Sequence, residues 1–236
     1  MLELVDVCSG YGGAQVLFDV SFTVVPGEVV AMLGRNGAGK STTLKTIAGL
    51  VRTTRGEIRY HGQRLERLPA YRVARAGIGY VPEERRIFSE LTVAENLEVG
   101  RRESARANHG KPPWTVERAL ALFPALAGLV DRGGGQISGG EQQMLTIART
   151  LMGNPSLLLL DEPGEGLAPM IVQRMLDALK TLKAEGLPML VSEQNPHFTQ
   201  ALADRVLIME SGALRYNASV REFDSDPGVR SRYLAV

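Results

Sequence analysis

Apolar and polar positions along this chain fall into short runs, alternating or continuous, separated by glycine and proline. Leu2 to Val7 alternates, as a strand with one buried face does. A glycine-rich turn follows at Gly10 to Gly13, Val16 to Val25 alternates again, and Pro26-Gly27-Glu28 turns the chain. Val29 to Leu33 is apolar throughout and bounded by glycine, the pattern of a parallel strand buried on both faces. Ser41 to Leu50 switches to helical spacing and ends near glycine. Gly56 to Tyr60 and Ile78 to Val81 read as strands. From about Thr92 to Met152 the character is helical: Glu95 to Arg102 and Val116 to Ala127 carry the spacing, and the breakers from Ala107 to Pro113 form a loop between them. Leu157 to Leu160 is another buried strand, Met170 to Ala184 a helix, and Met189 to Ser192 and Arg205 to Glu210 strands, the last turned by Ser211-Gly212. The tail, Val220 to Leu234, has broken helical signals. Strands alternating with helices predict an α/β fold with a largely parallel sheet and a helical insertion.

Composition narrows the setting. The 236 residues suit one large domain, and 44% hydrophobic with 22% charged residues suits a globular protein with a sizeable core. The formal net charge of +1 offers no global field toward nucleic acid or an anionic membrane. Cys8 is the only cysteine, so no intrachain disulfide can form; a reducing cytoplasm is expected, with Cys8 packed near a strand end. The amino-terminal residues lack the basic start and apolar stretch of a secretion signal, and no apolar run approaches the roughly 18 residues that span a bilayer. His61, His109 and His197 show no metal-ligand spacing. The arginines from Arg52 to Arg75, with Arg101, Arg102 and Arg106, alternate with acids and read as a solvated face. Trp114 reads as a packing anchor.

Two motifs carry chemistry. Gly34-Arg35-Asn36-Gly37-Ala38-Gly39-Lys40-Ser41 fits G-x-x-x-x-G-K-[ST], follows a predicted strand and opens a predicted helix, the context this pattern requires. Glycines let the backbone curl so that N–H groups point at anionic oxygen, and the helix start adds its positive dipole end. Gly34, Asn36, Gly37, Gly39, Lys40, Ser41 and Thr42 are therefore candidate nucleotide-binding residues, Lys40 for the β and γ phosphates and Ser41 for Mg²⁺. Leu157-Leu158-Leu159-Leu160-Asp161-Glu162-Pro163 places two carboxylates where a buried parallel strand ends, which is where such sheets bind ligands. Asp161 can serve Mg²⁺ and Glu162 can act as general base on an attacking water.

A third motif brings in a family. Ile137-Ser138-Gly139-Gly140-Glu141-Gln142-Gln143 resembles the LSGGQ signature of ABC ATPases, and the three motifs in this order make the resemblance specific over nearly the whole chain. Ser138 is placed to cap a helix. The resemblance implies a P-loop NTPase of the ABC type: α/β, with a mainly parallel central sheet, an N-terminal antiparallel β portion and a helical sub-lobe at about 88–152, all one nucleotide-binding domain over 1–236. It implies ATP and Mg²⁺ as cofactors and Tyr11 as the residue stacking on adenine. It further implies a second ABC ATPase subunit, the same chain or a different one, packed head to tail, so that Ser138, Gly139 and Gly140 meet ATP held by the partner. Gly166-Leu167-Ala168-Pro169 looks like the loop that crosses between subunits.

Two positions depart from the family pattern. Glu83 stands where glutamine is usual and can still meet Mg²⁺ or water. Gln194 stands where histidine is usual; it can donate a hydrogen bond to the γ-phosphate but cannot carry a proton. Together with Gly79 to Phe88, Gly164 to Pro169, Val191 to Asn195 and Asp226 to Leu234, these residues look like the LivF-type branch, which serves branched-chain amino acid importers, with urea and amide importers close by. That implies two membrane permeases that receive the chain through the segment Glu83 to Glu95, a periplasmic solute-binding protein acting indirectly, no nucleic acid, and a position at the inner face of the cell membrane. A lipid exporter ATPase, or an ABC ATPase outside transport, are the alternative readings.

Overall fold

The computed structural model describes residues 1–102 and 112–234. His109, Arg106 and the Ala107 to Lys111 part of the breaker cluster lie outside them. The chain runs β1 (Leu2–Tyr11), β2 (Ala14–Val24), β3 (Val29–Leu33), α1 (Lys40–Ile47), β4 (Thr53–Tyr60), β5 (Gln63–Arg64), α2 (Ala70–Arg75) and β6 (Ile78–Val81). It continues through α3 (Val93–Gly100), α4 (Val116–Leu122), α5 (Gly139–Met152), β7 (Leu157–Asp161), α6 (Pro169–Ala184), β8 (Met189–Ser192), α7 (Pro196–Leu202), β9 (Arg205–Glu210), β10 (Ala213–Ser219), α8 (Val220–Ser225) and α9 (Pro227–Leu234).

The strands form two sheets. β2-β1-β4-β5 is antiparallel throughout. The other has the order β10-β9-β3-β8-β7-β6, parallel from β9 to β6, with β10 antiparallel on its edge. β3, β7 and β8 are buried at every residue, which explains their unbroken apolar runs. The pleat still divides each run between two cores. Leu158 and Leu160 join Val191, α5 and α6 on one face, whereas Leu157 and Leu159 join Val30, Met32 and α1 on the other. Each fully buried leucine removes enough apolar surface from water to stabilise the fold by about 1.5–3 kcal/mol. No helix among the described residues is long and apolar enough to cross a membrane.

Several boundaries differ from the sequence pattern, for local reasons. β1 continues to Tyr11 because a bulge with Asp6 at φ 49° shifts its register, so Val7, Cys8 and Ser9 are buried in succession and the alternation is lost. Ser21 Oγ accepts from the Asp6 amide at 2.8 Å and steadies the bulge. Cys8 consequently sits within β1, buried, with its thiol donating to Asp19. α4 stops at Leu122, short of Ala127, because Pro124 cannot continue it; a 3₁₀ turn, Pro124–Leu129, takes over. Trp114 is 6% exposed, part of the core with Phe123, and carries the Arg118 guanidinium 4.0 Å above its ring. The arginines pair locally with acids, as Arg64 does with Glu66 and Glu57.

Candidate functional site

Sheet order alone gathers the motifs. β3, β8, β7 and β6 are successive neighbours, and all four end on the same edge. The phosphate loop leaves β3, Gln194 follows β8, Asp161 ends β7 with Glu162 next to it, and Glu83 follows β6. Residues separated by more than a hundred positions thereby share one crevice, as open parallel sheets arrange for ligands.

The loop after β3 is built for close backbone approach. Gly34 has φ 150°, and a Cβ there would stand 2.5 Å from the Met209 carbonyl oxygen. Gly39 has φ 104°, and a Cβ would stand 2.9 Å from Leu17 Cδ2 on β2. Neither position accepts a side chain. α1 then begins at Lys40. The Lys40 ammonium, 4% exposed, donates to Gly34 O at 2.9 Å and Arg35 O at 3.3 Å and pairs with Glu162 Oε1 at 3.1 Å. Tyr11 stands exposed at the tip of the β1–β2 hairpin, whose Leu17 abuts the loop.

Asp161 is fully buried. Ser41 Oγ donates to its Oδ1 at 2.9 Å, Ser192 Oγ to the same oxygen at 2.8 Å, and Tyr80 Oη to Oδ2 at 3.0 Å. Burial and the Asp161 charge push the Tyr80 phenol far up, so it remains a donor. Glu162 has φ 42°, and its amide donates to Ser192 O at 3.1 Å. Gln194 Nε2 bridges Glu162 Oε2 at 2.6 Å and Asn36 Oδ1 at 2.7 Å. Burial pushes the Glu162 carboxyl up, but hydrogen bonds from Glu165 and Gln194 and the Lys40 ammonium outweigh it and hold the group below the ordinary range. It therefore stands ionised at neutral pH.

Two acids complete the surroundings. Glu193, 5% exposed, accepts from the amides of Gly164 at 3.2 Å, Gln194 at 3.2 Å and Asn195 at 3.4 Å, fastening the turn after Glu162 to the one after β8. Its carboxyl is pushed up by burial. Glu83 is exposed; burial of part of its carboxyl and the charges of Glu162, Asp161 and Glu84 raise it. It feels the field of the site without closing a carboxylate cage, and among the described residues no group of three or more His, Cys, Asp or Glu could hold a metal ion.

The signature residues occupy a different surface. Ser138 caps α5, accepting from the Glu141 amide at 3.4 Å while Glu141 Oε2 accepts from the Ser138 amide at 2.7 Å. Gly139 lies against the Arg85 guanidinium and Gly140 against Ile171. The neighbours of these three residues are thus Glu141, Arg85 and Ile171, none of them among Lys40, Ser41, Asp161, Glu162 and Gln194.

The family described as ABC transporter matches residues 17–165, more than half of the chain. The chain belongs to the ABC transporter ATPases. It is 42% identical to the high-affinity branched-chain amino acid transport ATP-binding protein BraG of Pseudomonas aeruginosa, covering 99% of each chain. It is 34% identical to the lipopolysaccharide export system ATP-binding protein LptB of Acidithiobacillus ferridurans, covering 99% of this chain and 96% of the relative. Its fold superposes on the dimeric structure of the bacterial ABC transporter cassette MJ0796 with a TM-score of 0.79, at 25% identity, covering 94% of this chain and 99% of the other. The chain is thus an ATP-binding, ATP-hydrolysing cassette of the LivF-type branch.

Three residues of this ABC ATPase escaped sequence reasoning. Ser192 and Tyr80 lie inside recognised motifs, yet only strand pairing shows that they converge on Asp161; Asp161 lies opposite Ser192 in the β7–β8 register. Glu165 lies inside a recognised motif too, yet only the turn in which its amide donates to Glu162 O at 3.1 Å shows that it lies beside the base.

Proposed function

We propose that this cassette energises uptake of branched-chain amino acids through separate permeases, with Glu162 as the base that activates water. The observation that carries the reading is the convergence of Lys40, Ser41, Asp161, Glu162 and Gln194 on one crevice. Lys40 would meet the β and γ phosphates, with the amides of the loop from Gly34 to Thr42 cradling them. Triphosphate oxygens compete with Glu162 for Lys40, so nucleotide binding frees the Glu162 carboxylate to face water. Gln194, held by Asn36 and Glu162, is placed to donate to the γ-phosphate. The Ser41 hydroxyl and Asp161 carboxylate are hard oxygen donors that fit Mg²⁺, which would offset charge between the phosphates. Glu83 adds an oxygen facing the same field. Tyr11 would stack on adenine.

Ser138, Gly139 and Gly140 lie off the crevice, which suits a head-to-tail pair in which they complete the partner's site. The segment Glu83 to Glu95 would receive a permease at the inner face of the membrane. Full-length identity of 42% to BraG against 34% to LptB favours amino acid uptake; the LptB likeness keeps lipid export as the second reading. Co-expression with each class of permease and reconstitution into vesicles separates them. The importer reading expects ATPase activity stimulated by leucine with its binding protein. Stimulation by lipopolysaccharide alone contradicts it.

A further inference from the structure

A cavity of about 410 Å³ lies at the far end of β7 from Asp161. Leu157 opens that strand and lines the cavity, whereas Asp161 closes it in the nucleotide crevice, four steps of about 3.3 Å away. The two places are therefore distinct. The volume falls in the range of sites that enclose small molecules, and such sites gather where structural layers meet. Layers meet here: Leu2 and Val24 come from the antiparallel sheet, Leu157 from the parallel one, Leu182 from α6, and Leu187 and Pro188 from the segment before β8. Leu2, Val24, Leu157 and Leu182 are each 1% exposed, so the chamber reaches into the core. Its hydroxyls, Tyr60 Oη and Ser156 Oγ, bond each other at 2.8 Å. Among the described residues, no side chain of the lining has a buried polar atom lacking a partner. A chamber of this kind holds water poorly and suits an apolar body.

The rim is charged and balanced. Arg118 and Glu185 both line it, pairing through Nη2 and Oε2 at 2.5 Å, with side chains 27% and 40% exposed. Two further contacts fix the Arg118 guanidinium: it lies 4.0 Å above the Trp114 ring and donates through Nη1 to Pro112 O at 2.7 Å. A guanidinium carries five N–H groups and a carboxylate accepts at about four sites, so a pair already formed can still receive a second anion and a second cation. A lone anion would lie against Glu185, and a lone cation against Arg118. A head group carrying both charges satisfies both. We propose that this cavity binds a free α-amino acid with an apolar side chain. Arg118 takes the carboxylate, Glu185 the ammonium, and the chamber the side chain. The ligand class follows from the cavity alone, independently of the cargo proposed above.

Trp114 is the chain's one tryptophan and lines the cavity beneath Arg118, so its fluorescence reports on the site directly. The test titrates L-leucine into the whole chain without nucleotide, with equilibrium dialysis of radiolabelled leucine alongside. Saturable binding that changes the fluorescence is expected. Three analogues should bind about tenfold more weakly or worse: 4-methylpentanoate, which lacks the ammonium; 3-methylbutylamine, which lacks the carboxylate; and glycine, which lacks the apolar side chain. Arg118→Met should weaken leucine by about tenfold or more, as loss of a charge-assisted hydrogen bond does. Val25→Phe, at an exposed position of the lining, should fill the chamber and abolish binding with Arg118 in place. Thermal melts check both variants, and Val25→Phe carries the test if Arg118→Met does not fold. Absence of leucine binding in dialysis overturns the site. So does binding that both folded variants leave at wild-type strength, or an analogue with one charge that binds as well as leucine. A cassette that binds leucine here but is stimulated only by lipopolysaccharide in vesicles keeps this site and loses the importer reading. Leucine-stimulated activity without this binding loses the site alone.

Discussion

At the scale of residues, hydrogen-bond donors fix the orientation of the carboxylates in the site. Asp161 has no solvent around it, so its orientation is set by Ser41, Ser192 and Tyr80. Removing Tyr80 Oη leaves a buried carboxylate oxygen short of a partner. Tyr80→Phe is therefore expected to raise the Mg²⁺ concentration needed for half-maximal ATPase activity by about tenfold or more, by analogy with groups that orient metal ligands. An unchanged Mg²⁺ dependence would show that Asp161 is oriented without it. The motifs made Lys40, Ser41, Asp161 and Glu162 legible in the sequence because each has a spacing tied to phosphate chemistry. Ser192, Tyr80 and Glu165 were not, because strand register and a single tight turn place them, and neither leaves a spacing in the chain.

At the scale of elements, the unbroken apolar runs announced the buried parallel strands correctly, since both faces of β7 meet a core. Leu159, fully buried between β3, β8 and α1, is expected to cost about 2–5 kcal/mol on replacement by alanine. Urea denaturation measures it, and a loss under about 1 kcal/mol would mean that this face of the strand does not meet a core. The pattern misled where the backbone itself intervenes: the bulge at Asp6 hid the second half of β1, and Pro124 truncated α4. α2, α7 and β10 were not anticipated. α7 did carry a legible signal, Asn195-Pro196, in which Asn195 accepts from the His197 amide at 2.9 Å and proline takes the first turn.

At the scale of the molecule, the proposed roles give one chain two half-sites: the crevice around Lys40 and the α5 start at Ser138. In a head-to-tail pair each nucleotide uses one half from each subunit. Lys40→Ala and Ser138→Arg chains should each be inactive alone, yet regain ATP hydrolysis when mixed, because one of the two composite sites is then intact. No recovery on mixing would contradict a pair made from two copies of this chain. Single-turnover hydrolysis of Mg-ATP by Glu162→Gln tests most directly whether Glu162 is the base. Nucleotide binding as in wild type, with hydrolysis slowed by about 10²-fold or more, is the expected result. Hydrolysis at the wild-type rate would contradict it.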